Sequence, residues 1–166
     1  MRLYFSEIGG VHLFAACAAL GLGFIVLMLR KGTNLHRAIG LCYVMAMLTV
    51  NGSALMLYHL TGHFEIFHAL ALVSLAGIVS GVAAAIFRWQ NWIETHYRAM
   101  SFSYVGLLAA AAAEAIVRVP VLQVRTAPVA IAIGVAIAIL ATVGGRIAVR
   151  RLRPAALAAL GEGVRS

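Results

Sequence analysis

Five stretches of this chain carry almost no charge and are each close to the length that crosses a bilayer. They are Val11 to Leu29, Ala38 to Tyr58, Ile66 to Phe87, Met100 to Val117 with Glu114 as its one interruption, and Ala127 to Gly145. A hydrocarbon core about 30 Å thick is spanned by roughly 20 apolar residues in a helix. No other regular structure satisfies its own backbone polar groups within a single segment of that kind. With 63% hydrophobic residues, 11% charged residues and a mean hydropathy of +0.99, the chain lies outside the range of soluble domains. The expectation is an all-α integral membrane protein with five transmembrane helices over about 11–29, 38–58, 66–87, 98–118 and 127–147. Short connections predict an up-down bundle of helices 1 to 4 in a single domain, with a peripheral fifth helix and a basic tail over 148–166.

Basic residues set the orientation. Arg30, Lys31, Arg37, Arg88, Arg98, Arg146, Arg150, Arg151, Arg153 and Arg165 fall on one side of the predicted helices, and Arg2, Arg118 and Arg125 on the other. The pattern puts the N-terminus outside and the C-terminus in the cytoplasm of a bacterial cell, in its inner membrane. The net charge of +8 is then a topology signal with some attraction to anionic lipid, and no nucleic-acid partner is expected. Glu7 and a single Arg2 make a poor start for a cleaved signal peptide, so the first apolar run is read as a retained span. Cys17 and Cys42 are expected at depths about 10 Å apart along their helices, too far for a disulfide, and are read as small packing residues. Ser74, Gly77 and Gly81 predict close helix approach on a central helix 3. Asn51 and Ser53 are read as interhelical hydrogen-bonding groups, and Trp89 and Trp92 beside Arg88 as an interfacial anchor.

Four of the six histidines, His12, His36, His68 and His96, stand at or just before the start of successive apolar runs. Because consecutive spans point in opposite directions, His12 and His68 are predicted on one face of the bilayer and His36 and His96 on the other. Ionisable residues at membrane depth are costly and mark functional positions by default. Neutral imidazole is the metal-ligating form, and the first turn of a helix favours it by disfavouring the protonated ring.

The outer layer also holds His59 and His63. Glu114, 18 residues beyond His96, reaches it after about 27 Å of helix. His12, His59, His63, His68 and Glu114 are therefore candidate ligands for zinc, copper or iron. The inner layer has only two imidazoles, too few for a closed zinc site but enough for the axial positions of a haem iron. In a four-helix arrangement the diagonal pairs His12 with His68 and His36 with His96 could each hold a haem b, with Tyr43, Ser101, Ser103 and Tyr104 slightly deeper than the inner pair.

Three functions stay open on these residues. One is membrane electron transfer through one or two haem centres with a redox partner in the membrane. Another is an outer zinc or copper site for metal-dependent hydrolysis or metal delivery. The last is a non-catalytic scaffold or assembly factor in contact with the lipid bilayer, and a homo-oligomer is compatible with all three.

The run from Leu35 to Tyr43 (LHRAIGLCY), the Phe67-His68 pair, Arg88, and the run from His96 to Tyr104 (HYRAMSFSY) followed by Glu114 and Arg118 resemble a family of small bacterial predicted membrane proteins catalogued as a domain of unknown function. The resemblance covers helices 2 to 4 and implies membrane residence without implying a reaction. More loosely, the layered histidines resemble the two-haem cytochrome b architecture. The chain lacks the two histidines per helix found in some of its members.

Overall fold

A helix in lipid keeps its hydrogen bonds internal, so the chain is laid down as long helices joined by tight turns. The computed structural model describes residues 7–56 and 66–118, together with single positions at 136, 140, 143, 144 and 147. Helix α1 is Glu7–Met28, α2 is Asn34–Met56, α3 is Ile66–Phe87 and α4 is Trp92–Arg118. The first three are long and apolar enough to cross a membrane. At 22 residues, α1 and α3 each extend about 33 Å, just over one hydrocarbon core.

Three of these helices begin before their apolar runs. Hydropathy marks where side chains must avoid water, whereas a helix starts where its first free N–H groups find acceptors. Glu7 lies in the first turn of α1 and Glu94 in that of α4, where negative charge is favoured. Thr33 caps α2 by accepting the His36 N–H at 3.1 Å. His12 and His96 thus sit one turn or more inside their helices.

The expected count of five helices is corrected. Four helices are counted among the described residues. The fifth span over 127–147 and the tail over 148–166 lie outside them, apart from isolated helical positions. Leu140, Val143 and Ile147, the large side chains at those positions, are exposed.

α1 packs along α2 and α3 along α4, with α2 against α3 closing the pairs and α1 touching α4 more lightly. Large apolar side chains point outward on every helix, among them Phe14 (78% exposed), Leu41 (63%) and Val73 (71%). A surface of that kind is stable in lipid and not in water. The interior is filled by Ala15, Ala19, Tyr43, Met47, Val50, Ile78, Tyr104 and Leu107. Cys17 and Cys42 are free and exposed, so they face outward instead of packing in the core.

Gly23 lets this core close. A Cβ built there would lie 2.9 Å from Cε2 of Tyr43 and closer still to the ring of Tyr104. Gly21, two residues earlier, has nothing within 4 Å. Gly23→Ala should therefore destabilise the bundle by about 2 kcal/mol through overpacking, while Gly21→Ala leaves it unchanged. Thermal unfolding in detergent compares the two, and equal midpoints would contradict this packing.

Candidate functional site

The connection from α1 to α2 builds one wall of the end that carries Arg30, Lys31 and Arg37. The Nζ of Lys31 donates to the last-turn carbonyls of Val26 at 2.9 Å and Leu27 at 2.8 Å, capping α1. Burial pushes the Lys31 ammonium below its ordinary pKa. Gly32 takes the left-handed backbone (φ 81°) that reverses the chain, and Thr33 donates to the Arg30 carbonyl at 3.0 Å. His36 follows within the first turn of α2. Its ring lies near the Val26 carbonyl and in electrostatic range of Lys31, Arg37 and His96. Its Nδ1 is buried with no hydrogen-bond partner.

The opposite wall comes from the turn between α3 and α4. Arg88 and Asn91 both adopt positive φ (48° and 61°), and the Arg88 guanidinium stacks 5.6 Å from the Trp92 ring centroid, which anchors the turn. His96 then reaches back across the helix pair, its Nδ1 lying 2.8 Å from the Gly81 carbonyl. A carbonyl can only accept, so Nδ1 carries a proton and is the donor. Gly81 permits the approach, because a Cβ there would lie 3.1 Å from the Ala99 Cβ and 2.9 Å from the Met100 Sδ.

Tyr43 and Ser103 fix how the two walls face. The Ser103 hydroxyl donates to the Met100 carbonyl at 2.8 Å, so the Tyr43 hydroxyl is the donor to Ser103 Oγ, also at 2.8 Å. Tyr43 follows His36 by seven residues and Ser103 follows His96 by seven. Seven residues are about two turns and return to nearly the same face. The faces that meet at Tyr43 and Ser103 therefore carry His36 and His96 toward each other about 10 Å nearer the basic end. Tyr104 closes the layer, edge-on to Tyr43 (centroids 6.4 Å apart) and donating to the Leu20 carbonyl at 3.2 Å.

At the other end, Ser53 Oγ donates to the Thr49 carbonyl at 2.6 Å and lies 3.0 Å from that of Val50, so His12 Nδ1, 2.9 Å from the same oxygen, is the donor to it. His12 thus presents Nε2. His68 is buried in the first turn of α3 (5% exposed). The bond from Asn51 Nδ2 to Ser74 Oγ (3.2 Å) aligns α2 with α3 and places His68 about 6 Å farther out than the level of His12 and Ser53. Counting from Ser103, Glu114 reaches about the level of Ser53. His59 and His63 lie outside the described residues. Among the described residues, no three His, Cys, Asp or Glu side chains form a group that could hold a metal ion.

The structure thus places His36 and His96 across from each other and His12 and His68 at one end on different levels. The paired seven-residue offset was the sequence signal for the Tyr43 and Ser103 contact. Nothing in the sequence marked Gly81 as the partner of His96.

A family model described as a predicted membrane protein (DUF2306) matches residues 9–148. No curated protein and no solved structure matches the chain.

Tyr43→Phe keeps the ring and removes one interhelical hydrogen bond, while Ser103 retains the Met100 carbonyl. Such bonds contribute about 0.6 kcal/mol on average in membrane bundles. The variant should be less stable by about that amount in reversible unfolding from mixed micelles. A loss above about 2 kcal/mol would mean that Tyr43 also holds something beyond Ser103.

Proposed function

The chain belongs to the predicted membrane protein family DUF2306, and within that membership we propose that it is a redox protein of the bacterial inner membrane with a metal centre at its basic, cytoplasmic end. His36 and His96 are the ligands and a b-type haem is the cofactor. The buried Nδ1 of His36, which has no hydrogen-bond partner, and a His96 ring that lies in electrostatic range of His36 and donates to the Gly81 carbonyl carry this reading. A ligating imidazole characteristically gives its other N–H to a carbonyl, which is how His96 is held by Gly81. Two imidazoles are enough for the axial positions of haem iron. Arg37 supplies a cation at the same end for the carboxylates such a cofactor carries, while Lys31 caps α1 and Arg98 pairs with Glu94 at 3.5 Å. When bound, the group supplies a one-electron couple. The chain's part is to hold the iron, exclude water with the Tyr43 and Tyr104 layer, and accept electrons from a membrane partner.

A second reading places zinc or copper at the outer end, with His12, His68 and Glu114 as ligands once they move together from the separate positions they hold here, and His59 or His63 as further donors. The His12 Nε2 left open by its bond to Ser53 favours it. The site would serve metal-dependent hydrolysis or metal delivery.

Detergent-purified protein should show a strong Soret band and, after dithionite, a sharp α-band. His36→Ala and His96→Ala should each lower haem content by roughly tenfold or more, since even outer-shell partners of metal ligands contribute at that level. His12→Ala should leave the signal from the basic end intact. A colourless wild-type preparation sinks the haem reading. Stoichiometric zinc or copper that disappears in His68→Ala then selects the outer site, and no metal at all leaves a scaffold.

A further inference from the structure

At the basic end, the turn between α1 and α2 leaves two cations unengaged. Arg88 stacks on Trp92, Arg98 pairs with Glu94 at 3.5 Å, and Lys31 caps α1. Arg30 and Arg37 are exposed, and among the described residues neither side chain has a hydrogen-bond or ion-pair partner. Thr33 holds the two together: its hydroxyl donates to the Arg30 carbonyl and its own carbonyl accepts the Arg37 N–H, each at 3.0 Å. Two guanidinium forks at one turn suit a phosphate, whose oxygens take paired N–H bonds.

The same turn closes a crevice between α1 and α2. Farther along it, an apolar groove of about 420 Å³ opens between Val11, Phe14 and Ala18 of α1 and Ala46 and Thr49 of α2. Seven-residue steps carry both walls back toward the basic end, as Val11, Ala18 and Ile25 on one helix and Thr49, Cys42 and Leu35 on the other. Ile25, Cys42 and Leu35 are exposed, so this track is open to lipid. Ala46, at the near rim of the groove, is 11 residues from Leu35. That is about 17 Å of helix, close to the roughly 15 Å of hydrocarbon in one leaflet. An acyl chain anchored at the turn therefore ends in the groove.

We propose that this crevice binds an anionic phospholipid, with its phosphate on Arg30 and Arg37 and one acyl chain along Leu35, Cys42 and Ile25 into the groove. Unpaired cations at the head of an exposed apolar track complement an amphiphile with a negative head. Charge disfavours a second copy of the chain: a two-fold axis along the bilayer normal would set Arg30 and Arg37 against their own counterparts. The site goes beyond the haem reading and does not depend on it, because a carboxylate occupies two of the five donors of Arg37.

Native mass spectrometry of the detergent-purified full chain, titrated with phosphatidylglycerol or phosphatidylcholine, tests it. One phosphatidylglycerol per chain should be retained in clear preference to phosphatidylcholine. Arg30→Gln combined with Arg37→Gln should weaken phosphatidylglycerol binding roughly thirtyfold, for the loss of two interfacial cations, while Arg98→Gln leaves it unchanged. Ala46→Leu, which fills the groove and keeps both arginines, should weaken it as well. Equal retention of the two lipids overturns the proposal, as does wild-type binding by the double arginine variant or by Ala46→Leu. Displacement of the lipid by inorganic phosphate alone would make this a free-anion site, and a lipid-free dimer that Ala46→Leu dissociates would make the occupant a second copy; either result also overturns it. A colourless preparation that retains phosphatidylglycerol removes the haem reading and leaves this one standing.

Discussion

The hydrogen bond from Tyr43 to Ser103 sets the internal arrangement of the bundle. In lipid no water is available to satisfy a stray hydroxyl, so a polar side chain on a spanning helix must find its acceptor inside the protein. Tyr43 meets this demand on α4, and Ser103 passes it on to the Met100 carbonyl. Each such bond adds little stability. Its larger effect is on rotation. An alanine-rich helix in lipid has few side chains that prefer one direction, and a single satisfied tyrosine selects the face of α2 that looks toward α4.

Once that face is chosen, the positions of the histidines follow from helical period. His36 and His96 are carried inward together because each precedes its half of the hydrogen bond by seven residues. Glycine then determines how near the helices come. Gly23 makes room for the two tyrosine rings, and Gly81 brings α4 close enough for His96 to reach a backbone carbonyl. At the start of α2, Thr33 and Lys31 tie the chain to the last turn of α1, so the His36 ring is held between two helix ends.

Much of this architecture was legible in the sequence, and the reason is hydropathy. Membrane helices declare themselves by the length of their uncharged runs, and short connections leave few alternatives to an antiparallel bundle. The grouping of His36 with His96 also followed from alternating direction, and Asn51 and Ser53 were correctly expected to bond between helices. Hydropathy does not register caps, which is why α1, α2 and α4 begin earlier than their apolar runs. Depth within a shared end was also beyond it, since the offset between His12 and His68 depends on how Asn51 aligns with Ser74. Cys17 and Cys42 were misplaced for a related reason: small residues suit both a tight interface and a lipid-facing surface.

The middle of the bundle bears on which chemistry can connect its two ends. Between the Tyr43 layer and the His12 layer, the interior is Met47, Val50, Ile78 and Leu107, with Met47 2% and Ile78 1% exposed, and buried Asn51 bonded to Ser74 at its outer edge. The four apolar side chains offer neither a donor nor an acceptor. A hydrated ion or a proton carried on water would have to cross this layer at a cost of several kcal/mol, as any charge does in an apolar membrane interior. Along α2, His36 and the Ser53 partner of His12 are separated by about 25 Å of helix. This mostly apolar middle separates the two ends of the bundle that carry imidazoles.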